Sequence, residues 1–227
     1  MPPRALEPAG VALVDKPAGP SSFAVVAQIR RMTGARTGHA GTLDPFATGL
    51  LLLLSGRATR IASCLVGLDK RYLTDVDLTA RTSTGDPEGE IVERLEAPGP
   101  AELERRLAGL RGEIELPIPA ASAVKIGGER AYRLARRGVE VEMPLRRTTV
   151  HALDLIAYTG GTATLDLRVG SGTYVRAIAT ALGGHCRALR RTEVGPFSVA
   201  AAVAPEAFKA GCLLPEDEVL RRVGALA

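Results

Sequence analysis

Tryptophan is absent from this 227-residue chain, and cysteine, histidine and methionine occur three times each. The three cysteines, Cys64, Cys186 and Cys212, stand far apart and form no CxxC pair. That spacing excludes a disulfide framework and a zinc ribbon, and free thiols in a reducing compartment are expected. The neighbours His185 and Cys186 suit few metal sites, so no metal is expected. No apolar run approaches the roughly 20 residues of a membrane span, and no membrane partner is expected. The opening Met-Pro-Pro-Arg-Ala-Leu-Glu has no signal-peptide apolar region, which predicts a cytoplasmic protein. Dinucleotide and phosphate-loop motifs are missing, so no cofactor is expected. Internal repeats, low-complexity tracts and heptads are missing too.

What is present is an ordinary globular composition, 46% hydrophobic and 24% charged. A chain of this length buries about 70–75% of its unfolded surface and needs no staple. The net charge is +4 and the isoelectric point about 9.2. Of the 29 basic residues only Lys16, Lys70, Lys125 and Lys209 are lysines, which leaves 25 arginines. Arginine offers a planar fork suited to phosphate, although a biased genome produces the same excess. Nucleic-acid binding is therefore compatible with the charge.

The densest chemistry lies in Gly38-His39-Ala40-Gly41-Thr42-Leu43-Asp44-Pro45-Phe46-Ala47-Thr48-Gly49, followed by five leucines, Leu50 to Leu54. Three glycines permit turns that other residues resist, and Pro45 fixes one dihedral. A lone carboxylate on a stiff loop beside core structure suits a nucleophile. The same residues also read as a helix start, with Asp44 as N-cap and Pro45 at the first position. The leucine run fits a strand buried on both faces or a core helix equally well.

Elsewhere the pattern predicts a buried strand at Val11–Val14 and a helix from Ser21 or Ser22 to about Met32, stopped by Gly34. Ala58–Val66 has helical spacing. Tyr72–Leu78 alternates as a strand, with Tyr72 a core residue or a site residue. Residues 80–89 form a polar turn. Pro100–Gly109 reads as an amphipathic helix and 113–126 as strand broken by prolines. Glu129–Arg137 reads as a basic helix stopped by Gly138, with Arg130, Arg133 and Arg137 on one face, a phosphate stripe or a solubilising one. Val139–Met143 and Thr148–Tyr158 read as strands, and Thr159-Gly160-Gly161-Thr162 as a hairpin turn into Ala163–Val169. Gly170-Ser171-Gly172-Thr173-Tyr174-Val175-Arg176 opens a helix to Leu182. Arg176 is badly placed for that helix's dipole, which hints at an acidic partner.

The loop motif GHAGTLDPFATGLL resembles the catalytic loop of the TruB-type tRNA pseudouridine(55) synthases. Four further motifs are similar in the same order: Val-Asp-Lys-Pro with Ser-Ser, Lys-Arg-Tyr, Ser-Gly-Thr-Tyr-Val-Arg, and the segment Ala188–Phe197. Together they span about residues 10–200. The resemblance implies a pseudouridine synthase fold: mixed α/β (α+β), a mainly antiparallel central sheet flanked by helices. Residues 1–205 would form the catalytic domain and 206–227 a short helical tail. There is no room for the complete C-terminal PUA domain of many relatives, so weaker tRNA binding is expected.

The resemblance also implies roles. Asp44 is the catalytic carboxylate, Tyr72 stacks on the target base, and Arg176 pairs with Asp44. His39 sits at the RNA-facing lip, Lys16 supports the loop or contacts RNA, and Asp86 organises its neighbours. Tyr174 and Leu189 border the base. The implied partner is tRNA, through its T stem-loop, and the implied state a monomer. The reaction rearranges bonds without adding atoms, so it needs no donor or oxidant. The rivals are a synthase acting on another RNA and a silent tRNA-binding or tRNA-folding protein. Three departures stand out. Ser83 replaces a usual acidic residue, Ala121 replaces a usual tyrosine, and the segment between Arg176 and Leu189 is shorter.

Overall fold

The computed structural model describes residues 8–137, 139 and 141–225. Along the chain come β1 (Gly10–Lys16), α1 (Ser22–Thr33), β2 (Thr37–His39), β3 (Thr48–Ser55), a 3-10 turn (Gly56–Ile61) and α2 (Ala62–Val66). Next are β4 (Lys70–Asp77), β5 (Ala80–Thr82), β6 (Ile91–Arg94), α3 (Pro100–Ala108), β7 (Gly112–Pro117), β8 (Lys125–Ile126), β9 (Glu129–Arg130) and α4 (Ala131–Arg136). The chain continues with β10 (Leu145–Thr159), β11 (Thr162–Val169), α5 (Val175–Ala181), β12 (His185–Val194), β13 (Phe197–Ser198), short 3-10 turns and α6 (Glu216–Arg222). This is a mixed α/β fold. Its strand pairing is mainly antiparallel, while β3 and β12 pair in parallel.

The chain divides into two compact units. One comprises Met1–Tyr72 and Leu189–Ala227, the other Leu73–Ala188. In the first, β3 pairs antiparallel with β1 and β2 and parallel with β12, whose end folds back onto β13. The leucine run is thus strand, buried on both faces. Leu50, Leu52 and Leu54 join Val11, Leu13, Phe197 and Val219 in one core cluster, while Leu51 and Leu53 are buried on the opposite face. Helix formation at Asp44-Pro45 fails because the run that follows is claimed by strand pairing on both edges. α1 forms as its signals predict. Ser21 Oγ accepts from Ala24 N at 3.1 Å, and Gly34 ends the helix at φ 66°.

In the second unit β11 and β10 make a hairpin through Gly160-Gly161, and β7 pairs on the far edge of β10. α3 buries Leu103 and Leu107, as its spacing predicts. Two expectations fail here. The basic helix begins at Ala131, because Glu129 and Arg130 pair as β9 with β8. Arg130 donates to the Ala123 carbonyl and Arg137 bonds Glu129 at 2.7 Å, both from exposed positions. Over Val139–Met143 the described residues form no strand. Among the described residues no strand pairs with this stretch. The stop expected at Gly138 lies outside the described residues.

Candidate active site

Asp44 sits at a turn, with Ala47 N donating to its carbonyl at 3.1 Å. Both neighbouring residues are clamped. Ser22 Oγ donates to Leu43 O at 2.9 Å and accepts from Leu43 N at 2.8 Å. On the other side Pro45 O accepts from Lys16 Nζ at 3.1 Å and from Gly19 N at 2.8 Å. Lys16 is fully buried and also donates to Pro17 O at 2.8 Å. Of its two expected roles, this geometry matches loop support. A carboxylate between two pinned peptides has little backbone freedom to lose on binding.

Beneath the loop lies Arg191, with 1% of its surface exposed. Its Nε donates to Leu50 O at 2.7 Å, Nη1 to Thr42 O at 3.3 Å and Nη2 to Gly41 O at 3.0 Å. One guanidinium thus gathers three carbonyls from the loop and the strand after it. Its charge reaches its neighbours. Burial, and then Arg191, hold the His39 imidazole below its ordinary pKa, so the ring is neutral at pH 7. His39 Nδ1 is buried without a hydrogen-bond partner. Lys70 donates to Val66 O and Leu68 O at 2.6 and 2.5 Å. Burial, and then Arg191, push its pKa down to about 8, against the opposing pull of Asp69. The adjacent Arg190 forks onto Asp15 at 3.0 and 2.7 Å, and that hydrogen-bonded pairing raises its pKa.

Gly49 shows how closely this part is built. A Cβ there would lie 2.2 Å from Arg191 O and 2.7 Å from Arg191 N, at φ +103°. Only glycine allows β12 to approach β3 in parallel register at this point. Tyr72 and Leu189, the last residue before the chain leaves this unit and the first after it returns, are both nearly buried.

The second unit holds Arg176, Tyr174 and Asp86. Arg176 lies in the first turn of α5, almost fully buried, and its Nη1 is 3.2 Å from Asp86 Oδ2. Nη1 also donates to Thr84 O and Nη2 to Ala121 O, both at 2.9 Å. Asp86 is itself fixed, accepting from Thr84 Oγ1 at 2.5 Å and Glu88 N at 3.0 Å. The acidic partner that the helix position hinted at is thus present, at least in Asp86. The Ala121 departure leaves this bond intact, since a backbone carbonyl makes it. Ser83, the other departure, accepts from Glu90 N at 3.2 Å and closes the β5–β6 turn. Half-buried Tyr174 caps α5. Asp44 and Arg176 belong to different units.

Sequence reasoning missed Ser22 as a clamp and Arg191 and Lys70 altogether. Ser22 was visible as one of two capping candidates. Arg191 left no local sign, because its partners lie 141 to 150 residues away.

Comparison with known proteins agrees with these motifs. Residues 30–175 match the profile of the TruB family pseudouridylate synthase (N terminal domain). The chain is 45% identical over 206 residues to tRNA pseudouridine synthase B of Leifsonia xyli subsp. xyli, covering 84% of this chain and 68% of that relative. It is 42% identical over 212 residues to tRNA pseudouridine synthase B of Bordetella avium, covering 88% and 87%. Among solved structures its fold is similar to a chain in the crystal structure of a Cbf5-Nop10-Gar1 complex. The TM-score is 0.71 at 24% identity, over 94% of this chain. This chain spans 62% of the length of that one.

Proposed function

Because the chain belongs to the TruB family of pseudouridylate synthases, we propose that it isomerises uridine to pseudouridine in tRNA, at position 55 of the T loop, with Asp44 as its catalytic carboxylate. The N-glycosidic bond from C1′ to N1 breaks, the uracil turns, and C1′ rejoins through C5; C5 gives up its proton and N1 takes one in its place. No atom is gained or lost. Asp44 acts on the sugar or on the base during this exchange. The target base is extruded from the stacked loop at a cost of a few kcal/mol. Folded RNA is recognised by shape, phosphates and unstacked bases, and His39, neutral at pH 7, fills the vacated space. Tyr72 stacks on the uracil, with Leu189 and Tyr174 bordering it. Arg176, aimed by Asp86 and two carbonyls, is the catalytic arginine of this reading. The chain acts as a cytoplasmic monomer.

The observation that carries this reading is the clamp on both sides of Asp44, from Ser22 and from Lys16. A solvated surface aspartate has no need of it. The test is incubation with an unmodified tRNA transcript and mapping of pseudouridine. Product in the T loop is expected. No product in the tRNA despite binding, or product only when ribosomal RNA is supplied in its place, would overturn the reading. Asp44→Asn is expected to abolish turnover while tRNA affinity stays within about 1–2 kcal/mol of the parent. Full activity in that variant would remove Asp44 from the reaction.

A further inference from the structure

Between Asp15 and Asp44 the sequence holds no acidic residue, yet it holds Lys16, Arg30, Arg31, Arg36 and His39. α1 and the turn after it occupy most of this stretch. The helix turns Val25, Val26 and Ile29 inward. Its outward side carries Phe23, 74% exposed, at one end and Arg30 and Arg31 at the other. Seven residues separate Phe23 from Arg30, which places them on nearly the same meridian, about 10 Å apart along the axis. Exposed Arg36 follows just beyond the helix.

Two features set this face apart from the rest of its unit. The other surface arginines among the described residues of the unit have carboxylate partners: Arg57 and Arg60 on Glu216, Arg71 on Glu193, Arg190 on Asp15, Arg221 on Asp217 and Arg222 on Glu218. Arg30, Arg31 and Arg36 have none. The unit's Tyr72, Phe197 and Phe208 are buried and Phe46 is partly buried, whereas Phe23 is bare. Basic residues in a last turn do favour the helix dipole. That accounts for neither Arg36, beyond the helix, nor Phe23, at its opposite end. Phe23 also directly follows Ser22, the residue that clamps Leu43 beside Asp44.

We propose that this face of α1, with Arg36, is an RNA-docking surface. Phe23 stacks on an unpaired base near the Asp44 loop, and Arg30, Arg31 and Arg36 take the phosphates that follow. The occupant's chemistry is a polyanion with an exposed aromatic face, and the inference rests on the reading of RNA as substrate. An apolar wedge alone would fit a protein partner, but three cations with no carboxylate in ion-pair contact favour a nucleic acid.

The test is fluorescence anisotropy of a labelled unmodified tRNA transcript against the full chain, from about 50 to 200 mM salt. Phe23→Ala is expected to weaken binding roughly five- to a hundredfold with an unchanged salt slope, and Phe23→Leu equally, because stacking needs the ring. The triple variant Arg30→Gln, Arg31→Gln, Arg36→Gln is expected to make the slope of log affinity against log salt shallower by roughly 2–3. All these side chains are exposed, and circular dichroism melts would show the variants folded. Parental affinity and slope throughout would overturn the surface, as would full affinity in Phe23→Leu, which would show that no ring stacks on a base. Pseudouridine formed by a parent whose variants bind normally sinks this surface alone. Weakened variants of a parent that forms none sink the proposed activity alone.

Discussion

At the residue scale, three buried cations decide how the loop under Asp44 stands. Lys16 and Arg191 reach its carbonyls, and Lys70 lies behind it on carbonyls of its own. Buried charge is costly, and multiple short carbonyl contacts help make it tolerable. Lys70 shows the remaining cost as a pKa lowered from 10.5 to about 8. The folded protein therefore releases this proton at lower pH than the unfolded chain. Below about 8 both states hold it and the penalty is constant. Between about 8 and 10.5 the unfolded chain holds more protons, so stability gains as pH rises. Lys70→Met removes that gain. Urea midpoints measured at pH 7.5 and 9.5 are expected to move in favour of the parent relative to the variant. A pH-independent difference between the two would refute the assignment. Of the three, only the loop-supporting role of Lys16 was among the readings of the sequence. Lys70 read as the flank of a Lys-Arg-Tyr motif, and Arg191 as one more arginine, because burial and distant carbonyls leave no mark on local sequence.

At the scale of elements, the sequence reading succeeded where a local signal and the tertiary partner agreed. α1 has both caps, the β10–β11 hairpin has Gly160-Gly161, and α3 has a leucine stripe. It stayed open or failed where partners decide. Leu50–Leu54 was strand or helix until β1 and β12 claimed its edges, and Glu129-Arg130 went to a short ribbon against helical spacing. The β3–β12 contact is the hardest of these to foresee, since it rests on one glycine. Gly49→Ala combines a left-handed φ with a carbon 2.2 Å from a backbone oxygen. Strain and overpacking together are expected to cost roughly 2–5 kcal/mol. Gly34→Ala is the control, because φ is +66° there and nothing lies within 4 Å of the added carbon. It carries only the conformational cost, about 1–2 kcal/mol. Thermal melts should rank Gly49→Ala well below Gly34→Ala, and equal losses would show that β12 does not approach so closely.

At the scale of the whole molecule, the Asp44 loop belongs to a unit built from both ends of the sequence. Ala40 of the loop and Leu50, Leu52 and Leu54 of β3 share one core with Val219 of α6. Val11 of β1 exchanges two backbone hydrogen bonds with Leu214, at 3.0 and 2.9 Å, and Phe208 is buried nearby in sequence. The sequence reads residues 206–227 as a short helical tail, yet these contacts make the segment a wall of the core behind the loop. Burying Phe208 and Val219 stabilises by roughly 1.5–3 kcal/mol each, and the two hydrogen bonds add about 1 kcal/mol each. Ending the chain at Pro205 is thus expected to cost on the order of 5 kcal/mol, close to the whole stability of many domains. It would also bare an edge of β1, an invitation to aggregate. The truncated chain should show a broad, early melt and low soluble yield, and any pseudouridine formation should fall with the folded fraction. A sharp melt at the parent's temperature would mean that the tail is an appendage and that the loop stands on β1, β3 and β12 alone.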